Sequence, residues 1–248
     1  MRSFFVNPEE IYDKIARING PDTHHLRSVL RMQAGDRIRL FDGQGKIYTG
    51  IINKISKDQT EVNILEITES QTTHPSLHLA QAMATGKKMD LIIQKATELG
   101  ITGIHPFISQ HCSRHQPDPN KEKRWQRIAL ESCKQCVRPT PPQINETTDF
   151  NKIITNADNF NRKLIFWESE EHFLLNKIDF TNINNHQSFS VLFIIGPEGG
   201  FSEQEIKLAI DHGFQTVSLG NLTLRTETAA IAAAAILQYL LGNLQRES

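Results

Sequence analysis

The stretch 191–205, VLFIIGPEGGFSEQE, runs from an apolar segment through a glycine-rich turn into the start of a helix. Val191 to Ile195 is a short continuous apolar run of the kind buried on both faces of a parallel sheet. Gly196, Gly199 and Gly200 bracket Pro197 and Glu198. Glycine tolerates positive φ and lets a ligand approach the backbone closely. Ser202 and Glu205 have the S-x-x-E spacing of a capping box, which sets where the helix begins. Strand, tight turn and capped helix make a βα unit, and sheets built from such units hold ligands beyond the carboxyl ends of their strands. An ordinary βα turn would carry similar glycines. No Gly-Lys-Ser/Thr follows them, so a P-loop is disfavoured, and no G-x-G-x-x-G supports a dinucleotide fold.

The same grammar extends in both directions. Leu77 to Met83 predicts a strand, Thr85 to Lys88 a loop, and Met89 to Leu99 a helix ended by Gly100 as a left-handed cap. Ile101 to Ile108 predicts the next strand, and Lys121 to Val137 a long helix stopped by Pro139. Lys163 to Trp167 and Thr216 to Leu219 predict further strands. Ser202 to His212 and Thr226 to Leu241 predict helices, the last ended by Gly242-Asn243. Alternating βα units imply an α/β domain with helices on both faces of a mostly parallel sheet.

Upstream the period changes. Arg37 to Phe41, Lys46 to Ile52 and Thr60 to Ile67 read as strands, with turn residues at Asp42-Gly43 and Gln44-Gly45. They predict a small antiparallel barrel. Before it, HHLRSVLRM at 24–32 predicts an amphipathic helix. Leu26, Val29 and Leu30 form its apolar stripe, and Arg27 and Arg31 lie four apart on another face. The polar segment 68–75, TESQTTHP, reads as a linker. The expected domains are therefore 1–70 and 71–248.

Composition suits a water-soluble globular protein: 38% hydrophobic, 22% charged, mean hydropathy −0.39. No apolar run approaches the roughly 20 residues of a membrane span, and MRSFFVNPEE does not read as a signal peptide. Three cysteines cannot pair completely, which suits a reducing compartment, so a cytoplasmic location and no membrane association are expected. The net charge of −1 hides an asymmetry. Residues 71–140 hold ten Lys and Arg against five Asp and Glu, while the last hundred residues are acidic. A local basic patch can hold phosphates, although a solvated helix face would look the same. Cys133 and Cys136 make a C-x-x-C, but they fall in a predicted helix without a second such pair, so no metal site is expected. Trp125 and Trp167 read as core anchors, and 143–190 carries no functional signal.

A second loop, LGNLTLRTETA at 219–229, leads into a very apolar helix. Thr226 reads as its N-cap, and Glu227 suits the positive helix end. Arg225 does not fit that account, because a cation is unfavourable at a helix N-terminus. It is the candidate functional residue of this loop. Ala229, Ala230 and Ala232 to Ala235 permit close approach of a neighbouring element, as in a buried helix or a dimer interface.

Several segments together resemble the RsmE family, ribosomal RNA small-subunit methyltransferases of the SPOUT class that act on uridine N3. The similar segments are HHLRSVLRMQAGD at 24–36, KATELGI at 95–101, ESCKQCVRPTPP at 131–142, IGPEGGFSEQE at 195–205 and SLGNLTLRTETA at 218–229. The resemblance implies a PUA-like N-terminal β-barrel and a C-terminal SPOUT α/β domain with a trefoil knot. It implies a homodimer that binds S-adenosylmethionine in the knot and acts on small-subunit ribosomal RNA within the assembled or nearly assembled subunit. The position implied is uracil 1498 in the conventional rRNA numbering.

On that resemblance, Ile195, Gly196, Glu198, Gly199, Gly200, Leu219, Gly220, Leu224 and Thr228 are the expected cofactor-binding residues. Uridine N3 is a poor nucleophile until its proton leaves. Arg225 is therefore expected to stabilise charge developing on the uracil oxygens. Glu198 or Glu227 is expected to accept the proton or to balance the sulfonium. Arg27, Arg31, Lys87, Lys88, Arg114 and Arg138 are candidate phosphate contacts, and the target base must leave its stack to enter the pocket. Two other readings remain open here: a SPOUT enzyme acting on a ribose 2′-hydroxyl, and a non-catalytic RNA-binding module.

Overall fold

Apolar runs in the second part of the chain lie side by side as parallel strands in the computed structural model, which describes residues 1–69, 75–113, 119–180 and 188–244. The chain divides into two compact units, 1–71 with 130–141, and 72–129 with 142–248.

The first unit is a six-stranded sheet of β1 (Ser3–Phe5), β2 (Ile11–Tyr12), β3 (Ile15–Asn19), β4 (Arg37–Phe41), β5 (Lys46–Ile55) and β6 (Gln59–Glu69), in the order β1-β4-β5-β6-β3-β2. Leu26, Ile38, Leu40 and Val62 are completely buried in its core. Neighbours run antiparallel except β1 and β4, which are parallel, so the expected wholly antiparallel arrangement is corrected at that edge. The turn after β4 forms as its residues predict. Buried Asp42 accepts the amides of Gln44 and Lys46 on Oδ1 and the Tyr48 hydroxyl on Oδ2. Burial, and then Asp42, push the Tyr48 hydroxyl up to about 12.

The expected helix over 24–32 is only partly present. A short helix α1 (Pro21–His24) passes into a wider turn, His25–Val29, in which the Leu30 amide bonds the His25 carbonyl. That i→i+5 bond shifts the helical faces. Leu26 stays fully buried, Val29 becomes 62% exposed, and Arg31 takes a left-handed conformation at φ 53. Arg27 and Arg31 therefore do not form the predicted pair on one helix face.

The second unit is built on a parallel sheet of β7 (Ser76–Ala82), β8 (Gly103–Ile108), β9 (Gln143–Ile144), β10 (Thr148–Asp149), β11 (Arg162–Phe166), β12 (Ser190–Ile195) and β13 (Gln215–Val217). Its order is β10-β8-β7-β12-β11-β13, with β9 on β8. Helices α2 (Lys88–Glu98), α3 (Pro119–Cys136), α4 (Phe150–Thr155), α5 (Glu203–Asp211) and α6 (Thr226–Leu240) connect or follow the strands. The last turns of α3 belong to the first unit. Leu77, Leu79, Phe107, Leu164, Ile165, Phe193 and Ile194 are fully buried, which is why these runs lack polar alternation. Strand β12 returns to lie between β7 and β11, and such a change in strand order is where α/β sheets bind ligands. Trp125 is a core residue as expected.

Candidate active site

The carboxyl ends of β11, β12 and β13, together with the start of α2, enclose a cavity of about 810 Å³. The two glycine-containing loops face each other across it. Ile195, Gly196, Pro197, Glu198 and Gly200 supply one wall, and Val217 to Thr226 supply another. A third comes from the segment after β11, with Trp167, Glu168, Glu170, Glu171 and Leu174.

The first loop is shaped by local chemistry. Gly200 has φ 69, in the left-handed region, and a Cβ there would collide with the Glu168 carboxylate. Gly196 is pressed against the Phe201 ring, and Gly199 packs against His111 and hydrogen-bonds its Nδ1 through the carbonyl at 3.2 Å. The predicted capping box is present. Ser202 Oγ accepts the Glu205 amide, and Glu205 Oε2 accepts the Ser202 amide at 3.0 Å. The other Glu205 oxygen accepts the Gln110 amide, also at 3.0 Å.

Glu198 is the most strongly organised charge in the cavity. Its Oε1 accepts Lys88 Nζ at 2.8 Å, the Thr85 hydroxyl at 2.8 Å and the Thr85 amide at 3.0 Å. Partial burial acts to raise its pKa, but Lys88, Thr85 and its own amide prevail and hold the carboxyl down at about 2. Such a group stays ionised and is a weak proton acceptor. The same contact explains Lys88. A cation at the first position of α2 opposes the helix dipole, and Glu198 compensates it.

Arg225 has no such compensation. It is exposed, it lines the cavity, and its guanidinium makes no hydrogen bond or ion pair among the described residues. It is also the N-cap of α6, with φ −63 and ψ 149 and no side-chain capping bond. The expectation that Thr226 caps this helix is thereby corrected. Thr226 is the first helical residue, 5% exposed, and its hydroxyl donates to the Gly196 carbonyl at 2.7 Å.

The segment after β11 was without functional signal in the sequence, yet it walls the cavity. Glu170 is committed to protein contacts. Its pKa is lowered by the Thr216 hydroxyl and by the amides of His172 and Phe173, against the effect of burial. Glu168 and Glu171 are exposed carboxylates on the same wall with no ion pair among the described residues. Their signal was an acidic cluster, WESEE at 167–171, beyond the carboxyl end of a buried strand.

A family model described as an RNA methyltransferase domain matches residues 71–238, and one described as an RNA methyltransferase PUA domain matches 18–65. The ribosomal RNA small subunit methyltransferase E of Buchnera aphidicola (subsp. Schizaphis graminum) is 34% identical over 226 residues, covering 90% of this chain and 89% of that protein. The protein of the same name from Rickettsia conorii is 32% identical over 229 residues, covering 92% and 90%. This chain belongs to the RsmE family. Among solved structures, the RsmE protein of Neisseria gonorrhoeae bound to S-adenosyl methionine superposes with a TM-score of 0.81 at 33% identity, covering 99% of this chain and all of that one. The α/β architecture with an N-terminal PUA-like domain follows from this membership.

Within the RsmE framework, the cavity gathers Ile195, Gly196, Glu198, Gly200, Leu219, Gly220, Leu224 and Arg225 from the sequence-predicted set. Gly199 and Thr228 do not line it, and neither does Glu227, whose Oε2 is buried without a partner among the described residues. Lys88, a candidate phosphate contact, lines the cavity and pairs with Glu198. Lys87 is exposed at the N-cap of α2. Arg138 is partly buried, and desolvation lowers its pKa. Arg27 is exposed in the first unit, and Arg114 lies outside the described residues.

Proposed function

We propose that this chain transfers the methyl group of S-adenosylmethionine to N3 of one uridine of small-subunit ribosomal RNA, uracil 1498 in the conventional numbering. At the level of its family, the activity is S-adenosylmethionine-dependent methylation of ribosomal RNA. The observation that carries the finer reading is Arg225, an unpaired guanidinium at the rim of a cavity whose opposite walls are acidic.

The residues present fit the cofactor. Phe166, Ile195, Leu219, Leu224 and Ala229 offer apolar surface to a flat base, and Glu168 and Glu171 offer anions to a sulfonium and an ammonium. When bound, S-adenosylmethionine supplies an electrophilic methyl group. Arg225 stabilises the negative charge that spreads onto the uracil oxygens as the N3 proton passes to solvent water. Glu198, held down at about 2, balances the positive charge of the cofactor's sulfonium and keeps Lys88 in place rather than taking the proton. Glu227 lies away from the cavity lining and is not assigned the proton either.

The remaining expectations belong to the same proposal. The chain works as a homodimer in the cytoplasm, and exposed Ile236 and Tyr239 on alanine-rich α6 support a helix that meets a partner copy. The loops around the cavity form a trefoil knot, and Lys87, Arg27, Arg31, Arg114 and Arg138 meet RNA phosphates. The division at residues 70 and 71 separates RNA-binding from methyl-transfer functions.

The test is to incubate the purified protein with small ribosomal subunits and labelled S-adenosylmethionine, then to map the product nucleoside. Methyl on uridine N3 is expected. Label on a ribose 2′-oxygen would overturn the N3 assignment, and absence of cofactor binding by calorimetry near micromolar concentrations would favour an RNA-binding module.

A further inference from the structure

A buried glutamine at the end of β7 reaches across the sheet to the start of α6. Gln81 is completely buried, and its Nε2 donates to the Thr226 hydroxyl at 3.0 Å and to the Ala82 carbonyl at 3.0 Å. Thr226 passes the contact on by donating its hydroxyl to the Gly196 carbonyl at 2.7 Å. A directed chain, amide to hydroxyl to carbonyl, thus ties β7, the first glycine loop and the second loop at one point. Thr226 is next to Arg225, and Gly196 follows Ile195, which stands opposite Gln81 in the β7–β12 register.

Two helix starts are open to the segment LRTETA. With Thr226 as N-cap, its hydroxyl would turn back to the amide of Ala229, as the residue type prefers. Arg225 would then lie outside the helix. In the structure the hydroxyl is taken by Gln81 and Gly196 instead, so the helix begins one residue earlier. Arg225 is its cap, and the Ala229 amide bonds the Arg225 carbonyl at 2.8 Å. No local capping contact favours that start, and a cation there opposes the helix dipole.

We propose that Gln81 is a positioning residue for methyl transfer: by engaging Thr226 it selects the helix start that aims Arg225 into the cavity. The identity of the side chain supports a positioning role over a stabilising one. Gln81 Oε1 is buried with no hydrogen-bond partner among the described residues, and an unsatisfied buried oxygen lowers stability relative to an apolar side chain of similar shape. The proposal rests on the catalytic assignment of Arg225 made above.

The test uses Gln81→Leu, Thr226→Val, Thr226→Ser and Arg225→Ala in the full chain, with kcat on small ribosomal subunits, Tm and the Ala229 amide NMR resonance as readouts. Gln81→Leu is expected to keep or raise Tm while lowering kcat on the order of 100-fold, the cost of a misplaced catalytic group. Thr226→Val is expected to match it, the double variant to be no worse than either single one, and Thr226→Ser to restore kcat. Arg225→Ala should cost much less in the Gln81→Leu background than in the wild type. The Ala229 amide should exchange its acceptor, the Arg225 carbonyl, for the Thr226 hydroxyl in Gln81→Leu, read as a shift of its amide NMR resonance, a readout that needs no turnover. Wild-type kcat in Gln81→Leu, or an Ala229 resonance unmoved by it, would overturn the positioning role. A wild-type protein that does not methylate RNA would count against the proposed function, and the resonance measurement would still decide the helix start.

Discussion

Two helices begin at the edge of the same cavity, and they are set in place by different means. Helix α5 starts on a local device: Ser202 and Glu205, three residues apart, satisfy each other's amides. Helix α6 starts on a tertiary one: Thr226 is held by Gln81, 145 residues away in sequence, and by Gly196, 30 residues away. A local cap secures the helix it belongs to. A long-range tie also decides where a neighbouring side chain points. The first loop can therefore be disturbed mainly through stability, and the second mainly through turnover.

The largest effect is expected at the second loop. Arg225→Ala should lower kcat about 100- to 1000-fold, as removal of a single charge-stabilising donor does elsewhere, with Tm unchanged. Single-turnover assays on small subunits check this, and a wild-type rate would remove the distinction between the loops. At the first loop, Gly200→Ala must place a side chain at φ 69. It should destabilise the protein by about 1–2 kcal/mol, read by thermal unfolding, because left-handed backbone is strained for any residue with a Cβ. Ser202→Ala should cost about 1 kcal/mol by loss of the cap, with kcat largely retained. A kcat loss as large as that of Arg225→Ala would show that the local cap also aims chemistry.

The smallest effect concerns pH. The Glu198 carboxyl is depressed in the folded protein from its ordinary 4.5 to about 2. Its contribution to stability is therefore fully present above about pH 4.5 and is lost as pH falls toward 2. Glu198→Gln should flatten the acid limb of the stability curve in that window, and an unchanged curve would argue that Lys88 and Thr85 do not hold the carboxylate in solution.

A comparable contrast runs through the whole site. The glycines, the capping box and the odd charge of Arg225 were legible because each rests on residue type and short spacing. The third wall was not. Trp167 reads as an ordinary core aromatic, and Glu168 to Glu171 as a solvated turn. They face the cavity only because β11 lies between β12 and β13 in the sheet. Lys88 gave no sign of its place in the cavity wall for the same reason. Its partner Glu198 is 110 residues distant, and nothing in the spacing joins them.

What the sequence determined by itself is what short-range physics can encode: buried parallel strands from continuous apolar runs, a tight turn from Gly199 and Gly200, and the start of α5 from Ser202 and Glu205. It also carried the family, through several motifs in a fixed order. The tertiary structure alone decided which carboxylates and cations meet across the cavity, and which of two starts α6 adopts. Those outcomes depend on hydrogen bonds between strand ends far apart in the chain, and their energies enter only once the sheet has assembled. Thr226 shows the difference most clearly, since its residue type predicts a cap and the folded sheet makes it a tie instead.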